Sequence, residues 1–308
     1  MTKVILILGI LFTQVTLINA CDICGCASSS FSMGLLPSSK HHFIGIRSSI
    51  KNFESREIHA LSTRFDSEQH FSTTEIFGRY KISNKFQVLA TVPYIYNVKK
   101  DSISTLKIDG IGDPILLFNY VFVDNTDSLT KKFKQSGTIG IGVKFPLGSF
   151  YKLGFSEINM LPGTGSFDFI SNLNYSLQYR SYGLQNETSF TLKTANKYLY
   201  QFGNAFSSSN MLFYRWVVND NLKIVPQIGV NYNFNWEDIK NGKKSEDTFN
   251  GGAIINSQFN LFVIYKNFGL NINMFLPLNQ ELNQGYVRQK NSFRVALNYF
   301  INEKSKRK

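Results

Sequence analysis

After its first twenty residues, this 308-residue chain has no run approaching eighteen uninterrupted apolar residues, which excludes helical membrane spans from all that follows. Cysteine is nearly missing. The three present, Cys21, Cys24 and Cys26, share one short segment, so no disulfide framework can hold the rest of the chain. Imidazole is scarce too, with only His41, His42, His59 and His70. A hydrolase at a lipid boundary would need a nucleophile beside a base. His41 and His42 fall at the inner end of a predicted strand, and His59 and His70 in a loop without a Ser or Asp partner. The sequence therefore points to no catalytic residues and no enzyme. Acidic residues are the minority charge, 21 against 33 basic, for a formal balance of +12. Much of the excess is local, in Lys304, Lys306, Arg307 and Lys308 at the tail and in Lys240, Lys243 and Lys244 in a predicted loop. Basic groups that are not set among stacking aromatics exclude nucleic-acid binding. Solvation is their plain meaning, and attraction to anionic lipid or lipopolysaccharide the sharper one.

The first twenty residues are organised as an export signal. Lys3 gives a positive start, Val4 to Phe12 a short apolar run, and Asn19-Ala20 a small residue before Cys21. The run is too short to span a bilayer and matches a removed signal peptide. Its loss takes Lys3 with it and lowers the balance from +12 to +11.

What is present is alternation. Past residue 40 the chain reads as twelve stretches of alternating apolar and polar residues, and their connections alternate long and short. They run His42–Asn52, Phe71–Ile82, Phe86–Asn97, Asp113–Val123, Gly137–Pro146, Gly165–Arg180, Leu184–Ala195, Phe202–Val217, Leu222–Trp236, Gly251–Lys266, Phe268–Pro277 and Arg288–Ile301. In the sixth, Phe167, Phe169, Leu173, Tyr175, Leu177 and Tyr179 share one face, and Asp168, Asn172, Asn174, Gln178 and Arg180 the other. A β-sandwich would also alternate. Long strands with Asn-rich polar faces favour instead an all-β, antiparallel, up-and-down transmembrane barrel of about twelve strands. An even strand number puts both termini on one side, so the termini and short turns are periplasmic and the long loops lie outside. The expected organisation is signal peptide 1–20, cysteine-containing segment 21–40, barrel 41–302 and basic tail 303–308, in a bacterial outer membrane. Pro93 and Pro226, inside the third and ninth strands, each remove a ladder hydrogen bond and predict a bulge. Trp216 and Trp236 fall near opposite membrane boundaries.

If the polar faces line a lumen, its charges are Glu75, Arg79, Lys81, Asp113, Lys144, Asp168, Arg180, Glu187, Lys193, Arg215 and Arg294. Opposite charges could pair across a narrow interior and hold it shut. They could equally form a selectivity-determining constriction.

Two glycine-rich segments, Gly110-Ile111-Gly112-Asp113-Pro114 and Leu161-Pro162-Gly163-Thr164-Gly165-Ser166-Phe167-Asp168-Phe169, are predicted where outer loops enter descending strands. No helix follows to present its N-terminus to a phosphate. With Thr91-Val92-Pro93-Tyr94 and Tyr200-Gln201-Phe202-Gly203-Asn204, they resemble the outer-membrane family labelled meta-pathway phenol-degradation proteins, called transporters in Bacteroidetes-like bacteria. The resemblance covers roughly residues 40 to 301. It implies a barrel that transports small, poorly soluble or aromatic molecules, and it brings no catalytic residues.

Cys21, Cys24 and Cys26 stand outside the barrel. A disulfide with a leftover thiol, acylation of Cys21, and a metal site all suit them. Thiolates at C-x-x-C-x-C spacing near His41 and His42 fit copper or zinc. Two functions follow: an outer-membrane channel for small solutes, or a metal-handling outer-membrane protein that uses this segment. Partners would be the lipid bilayer, lipopolysaccharide and a small solute.

Overall fold

A computed structural model describes residues 41–55, 67–101, 104–126, 132–150, 155–244 and 251–301. They form a closed, twelve-strand antiparallel barrel. Its strands are β1 (His42–Ser55), β2 (Ser67–Lys81), β3 (Phe86–Lys100), β4 (Thr105–Ile111, resumed at Ile115–Asp124), β5 (Phe133–Lys144) and β6 (Asp168–Tyr179). Then come β7 (Tyr182–Lys193), β8 (Ala205–Tyr214), β9 (Leu222–Asn235), β10 (Gly252–Tyr265), β11 (Phe268–Leu282) and β12 (Val287–Gln289, resumed at Ser292–Ile301). Each pairs with its sequence neighbours, and β12 closes on β1 from His42↔Ile301 to Ile50↔Phe293. Among the described residues, closure leaves the barrel wall without a free edge strand, the condition for a sheet to stand in hydrocarbon.

The period of two sorts every strand. Ile44, Ile76, Ile139, Ile141, Leu184 and Leu212 point outward and are exposed, whereas Arg47, Glu75, Thr138, Gln185 and Ser209 from the same strands are buried inside. Tyr80, Phe86, Tyr179, Tyr182, Tyr214 and Trp216 ring the short-turn end of the outer wall. Trp236 stands at the opposite boundary, 41% exposed. An apolar band between aromatic girdles is the exterior of an outer-membrane barrel.

Three places in the wall depart from the sequence expectation. Gly110-Ile111 belongs to a strand rather than a loop, and the β3–β4 hairpin continues to Lys100↔Thr105. The interruption falls at Gly112-Asp113-Pro114. Pairing moves from Thr91↔Ile115 to Tyr94↔Ile111, so β4 carries one extra residue opposite Pro93. That is the bulge anticipated there. At Pro226 no residue is inserted. The β8–β9 ladder ends at Phe213↔Gln227 and resumes in register at Trp216↔Ile224, because a missing N–H breaks pairing without adding length. In β11, Pro277 does not end the strand; a register shift opposite Ile255/Asn256 absorbs it and pairing runs on to Leu282.

Candidate functional site: the barrel interior

The interior is built in layers. Nearest the long loops is an apolar cluster that includes Phe53, Phe71, Leu161, Tyr200, Phe202 and Leu282. The connection between β5 and β6 turns inward to supply part of it, through a 3-10 helix at Phe155–Met160 followed by Leu161, whose exposure is 0%. Asn97 donates its amide to the Met160 carbonyl at 2.9 Å, tying this connection to the β3 wall.

A saturated polar knot anchors the connection. Asp113, freed from regular pairing by the β4 break, accepts from Gly148 N at 2.9 Å and from Thr164 N and Oγ1 at 2.8 Å each. Lys144 Nζ lies 2.7 Å from Asp168 Oδ2 and 3.3 Å from Asp113 Oδ2, and also bonds Thr164 Oγ1. Both carboxylates and the lysine are buried, so the ions are matched and their remaining valences filled by hydrogen bonds. Gly148 and Gly163 permit this approach. A Cβ on Gly148 would sit 2.7–2.8 Å from Gly112 and Asp113, and one on Gly163 2.8 Å from Gly148. Asp113, Lys144 and Asp168 thus meet in one knot at the outer rim, to which the two glycine-rich segments contribute Asp113, Gly163, Thr164 and Asp168.

Across the middle, Arg47 is paired with Glu75. Ser49, the next inward residue of β1, faces Arg294 of β12. Arg294 lies in the field of Arg47, Glu75 and Glu187, and Lys51 in that of Arg294 and Glu75. On the side of β8 to β11 the same depth is neutral: Ser209 donates to Gln258 Oε1 at 2.5 Å, and Gln258 donates to Asn273 Oδ1 at 3.1 Å. Below, Phe43, Phe77, Phe213, Val225, Phe262 and Phe300 form an apolar plug. Two guanidinium carbons lie over its rings, Arg47 Cζ 4.8 Å from the Phe77 centroid and Arg79 Cζ 5.1 Å from that of Phe43.

Sequence parity missed Arg47 and Lys51, although both share the phase of inward Phe43. Arg180 is corrected outright. It occupies the β6–β7 turn with φ of 54°, exposed to solvent, its guanidinium 5.5 Å from the Tyr179 ring, because a two-residue turn leaves no room to continue the inward phase. Arg215 lies in the break between β8 and Trp216, half-buried at the short-turn end. Lys193 is buried at the top of β7 near Asp238. Lys81 ends β2, and its N–H donates to His42 Nδ1 at 3.0 Å.

Above the barrel, Tyr200–Gln201 pairs with Ile239–Lys240, which turns at Asn241-Gly242 into Lys243–Lys244. Asn241 and Gly242 have φ of 54° and 76°, as a type I′ hairpin requires. The basic Lys240, Lys243 and Lys244 therefore sit on a short hairpin, with Lys244 2.7 Å from Glu237. Asp238 accepts from Tyr200 Oη and from Gly203 N at 2.5 Å, locking the hairpin onto the mouth. Burial pushes its carboxyl above the ordinary range, against the pull of those two donors and of Lys193.

Cys21, Cys24 and Cys26 lie outside the described residues. His42 stacks on Tyr80 at 4.8 Å, while His41 meets Phe300 edge-on at 6.5 Å. Among the described residues, no three His, Cys, Asp or Glu groups converge as a metal site.

No family model matches the chain, and no curated protein does. Solved structures do. An outer-membrane channel from Pseudomonas putida F1 superposes with a TM-score of 0.63 at 10% identity, over 85% of this chain and 96% of that one. The beta domain of the Bordetella autotransporter BrkA follows at 0.50 and 9%, over 85% of this chain and all of that one. The chain has the fold of outer-membrane β-barrels.

Proposed function

We propose that the protein is an outer-membrane channel for small solutes that combine an apolar or aromatic body with a polar or anionic group. The observation that carries this is the order of the interior layers. An apolar, aromatic mouth on the loop side opens onto a charged and carboxamide-lined middle. A barrel serving only as an anchor would be most stable with matched apolar filling, whereas buried ions such as Arg47, Glu75 and Arg294 add little net stability. The likeness to a protein described as an outer-membrane channel and the residue resemblance to a transporter family support the same reading. The described conformation is closed, by the inward connection above and the phenylalanine plug below. Transport therefore requires both the knot at Lys144 and the plug to yield. Uptake of phenol and of benzoate into proteoliposomes tests the proposal. Both should enter faster than into protein-free liposomes, and Arg294→Ser should slow benzoate several-fold more than phenol. Rates equal to those of empty liposomes would overturn it.

A further inference from the structure

The outer wall carries a polar feature that transport does not use. On β7 and β8, Asn186 faces Asn210 and Thr188 faces Ser208 in consecutive cross-strand rows. Their phase is that of exposed Tyr182, Leu184 and Leu212, so all four point to lipid. Along β7, Asn186 is four residues above Tyr182 of the aromatic girdle, about 13 Å of strand and about 10 Å of depth after tilt. In an apolar band about 25 Å tall, the two rows occupy its middle.

The four side chains bond to one another. Asn186 Nδ2 donates to Asn210 Oδ1 at 2.8 Å, Thr188 Oγ1 to Asn186 Oδ1 at 3.2 Å, and Asn210 Nδ2 to Ser208 Oγ at 3.3 Å, while the two hydroxyls are 3.1 Å apart. Each carboxamide has two N–H donors, and this square uses one of each. The second N–H of each amide has no partner among the described residues, an expensive arrangement in hydrocarbon. Elsewhere on the wall, Thr74 donates to Ser48 at 3.3 Å; that pair contains no amide.

We propose that this face of β7–β8 docks a second copy of the chain. Two copies inserted the same way can be related by a two-fold axis only along the membrane normal, so each row meets the same row of its partner. Carboxamides and hydroxyls both donate and accept, so an amide row and a hydroxyl row are each complementary to themselves. Lipid tails offer no acceptor at this depth, and ester carbonyls lie nearer the interface. Leu184, Leu212, Tyr182 and Tyr214 on one side and Phe190 and Phe206 on the other supply an apolar surround that excludes water from the contact.

Energy transfer between donor- and acceptor-labelled copies of the purified chain in liposomes, followed on dilution with lipid, tests the proposal. The wild-type chain should show transfer above the random-collision level. Asn186→Leu with Asn210→Leu should weaken association by about tenfold or more. Ser48→Ala with Thr74→Ala should leave it unchanged. Asn186→Ala with Asn210→Ala repeats the test with a smaller change, and heat-modifiable migration verifies folding of each variant. Wild-type transfer at the random level, which is also the outcome if another protein or lipid covers the face, would overturn the proposal. So would association unaltered by either amide variant.

Discussion

Lys144 fastens the inward connection, because it neutralises Asp168 and Asp113 together at 2.7 and 3.3 Å in a buried site. Replacing it with Met removes one partner and leaves two buried carboxylates facing each other. The expected cost is about 3–5 kcal/mol. It should appear as a lower temperature for loss of the fast-migrating folded form on gels and as release of the 145–167 connection to protease. Asp238 makes the second residue-scale prediction. Its carboxyl is raised by burial, so the folded hairpin favours the protonated form. A raised folded pKa means stability fully present below the ordinary value of 3.8 and lost as pH rises through the raised one. Hydrogen exchange at Ile239–Lys244 should therefore accelerate across that window, beyond the intrinsic pH dependence, and Asp238→Asn should flatten the excess.

At the scale of elements, backbone proximity decides which changes a strand or hairpin survives. Gly203 donates to Asp238, and a Cβ there would come within 1.7 Å of the Trp236 carbonyl oxygen. That atom is backbone and cannot rotate away. Gly203→Ala should detach the Ile239–Lys244 hairpin while leaving the barrel intact, at a cost of about 1–3 kcal/mol. Exchange protection lost at the hairpin and kept in β9 and β10 would be the signature; unchanged protection at both would contradict it. The three prolines within strands show how much an element's fate depends on its neighbour. Pro93 is matched by an extra residue in β4, Pro277 by a register shift against β10, and Pro226 by a gap in pairing that keeps register.

The whole molecule sets sidedness. The described ends His42 and Ile301 share one end with the two-residue turns at 180–181 and 266–267, and the longest connections, 145–167 and 236–251, share the other. An epitope inserted beside Lys243 should be accessible on intact cells, and one placed after Lys308 should not. Reversed labelling would invert the orientation. In detergent the chain should give a strand-dominated circular dichroism spectrum and migrate differently before and after boiling, since closure pairs the wall's backbone as one unit.

Strand number, the inward and outward faces and the outer-membrane fold were all legible in the chain, because a period of two acting under a lipid boundary assigns each side chain to one face. Glu75, Arg79, Glu187 and Arg294 were found inside on that basis alone. Arg47 and Lys51 are legible by phase with Phe43, although the isoleucines on the opposite face dominate the pattern of β1. Arg180 was misplaced because alternation does not say where a strand gives way to its turn. Partners were beyond the sequence altogether. Asp113, Lys144, Thr164 and Asp168 lie up to fifty-five positions apart, and only the β4 break, the shear between strands and the inward fold of one connection bring them together. The same holds for Asn186 with Asn210. Parity alone sends both to lipid, but the β7–β8 register makes them one hydrogen-bonded square. A one-dimensional pattern determines direction; which side chains meet depends on closure, which couples strands far apart in the chain.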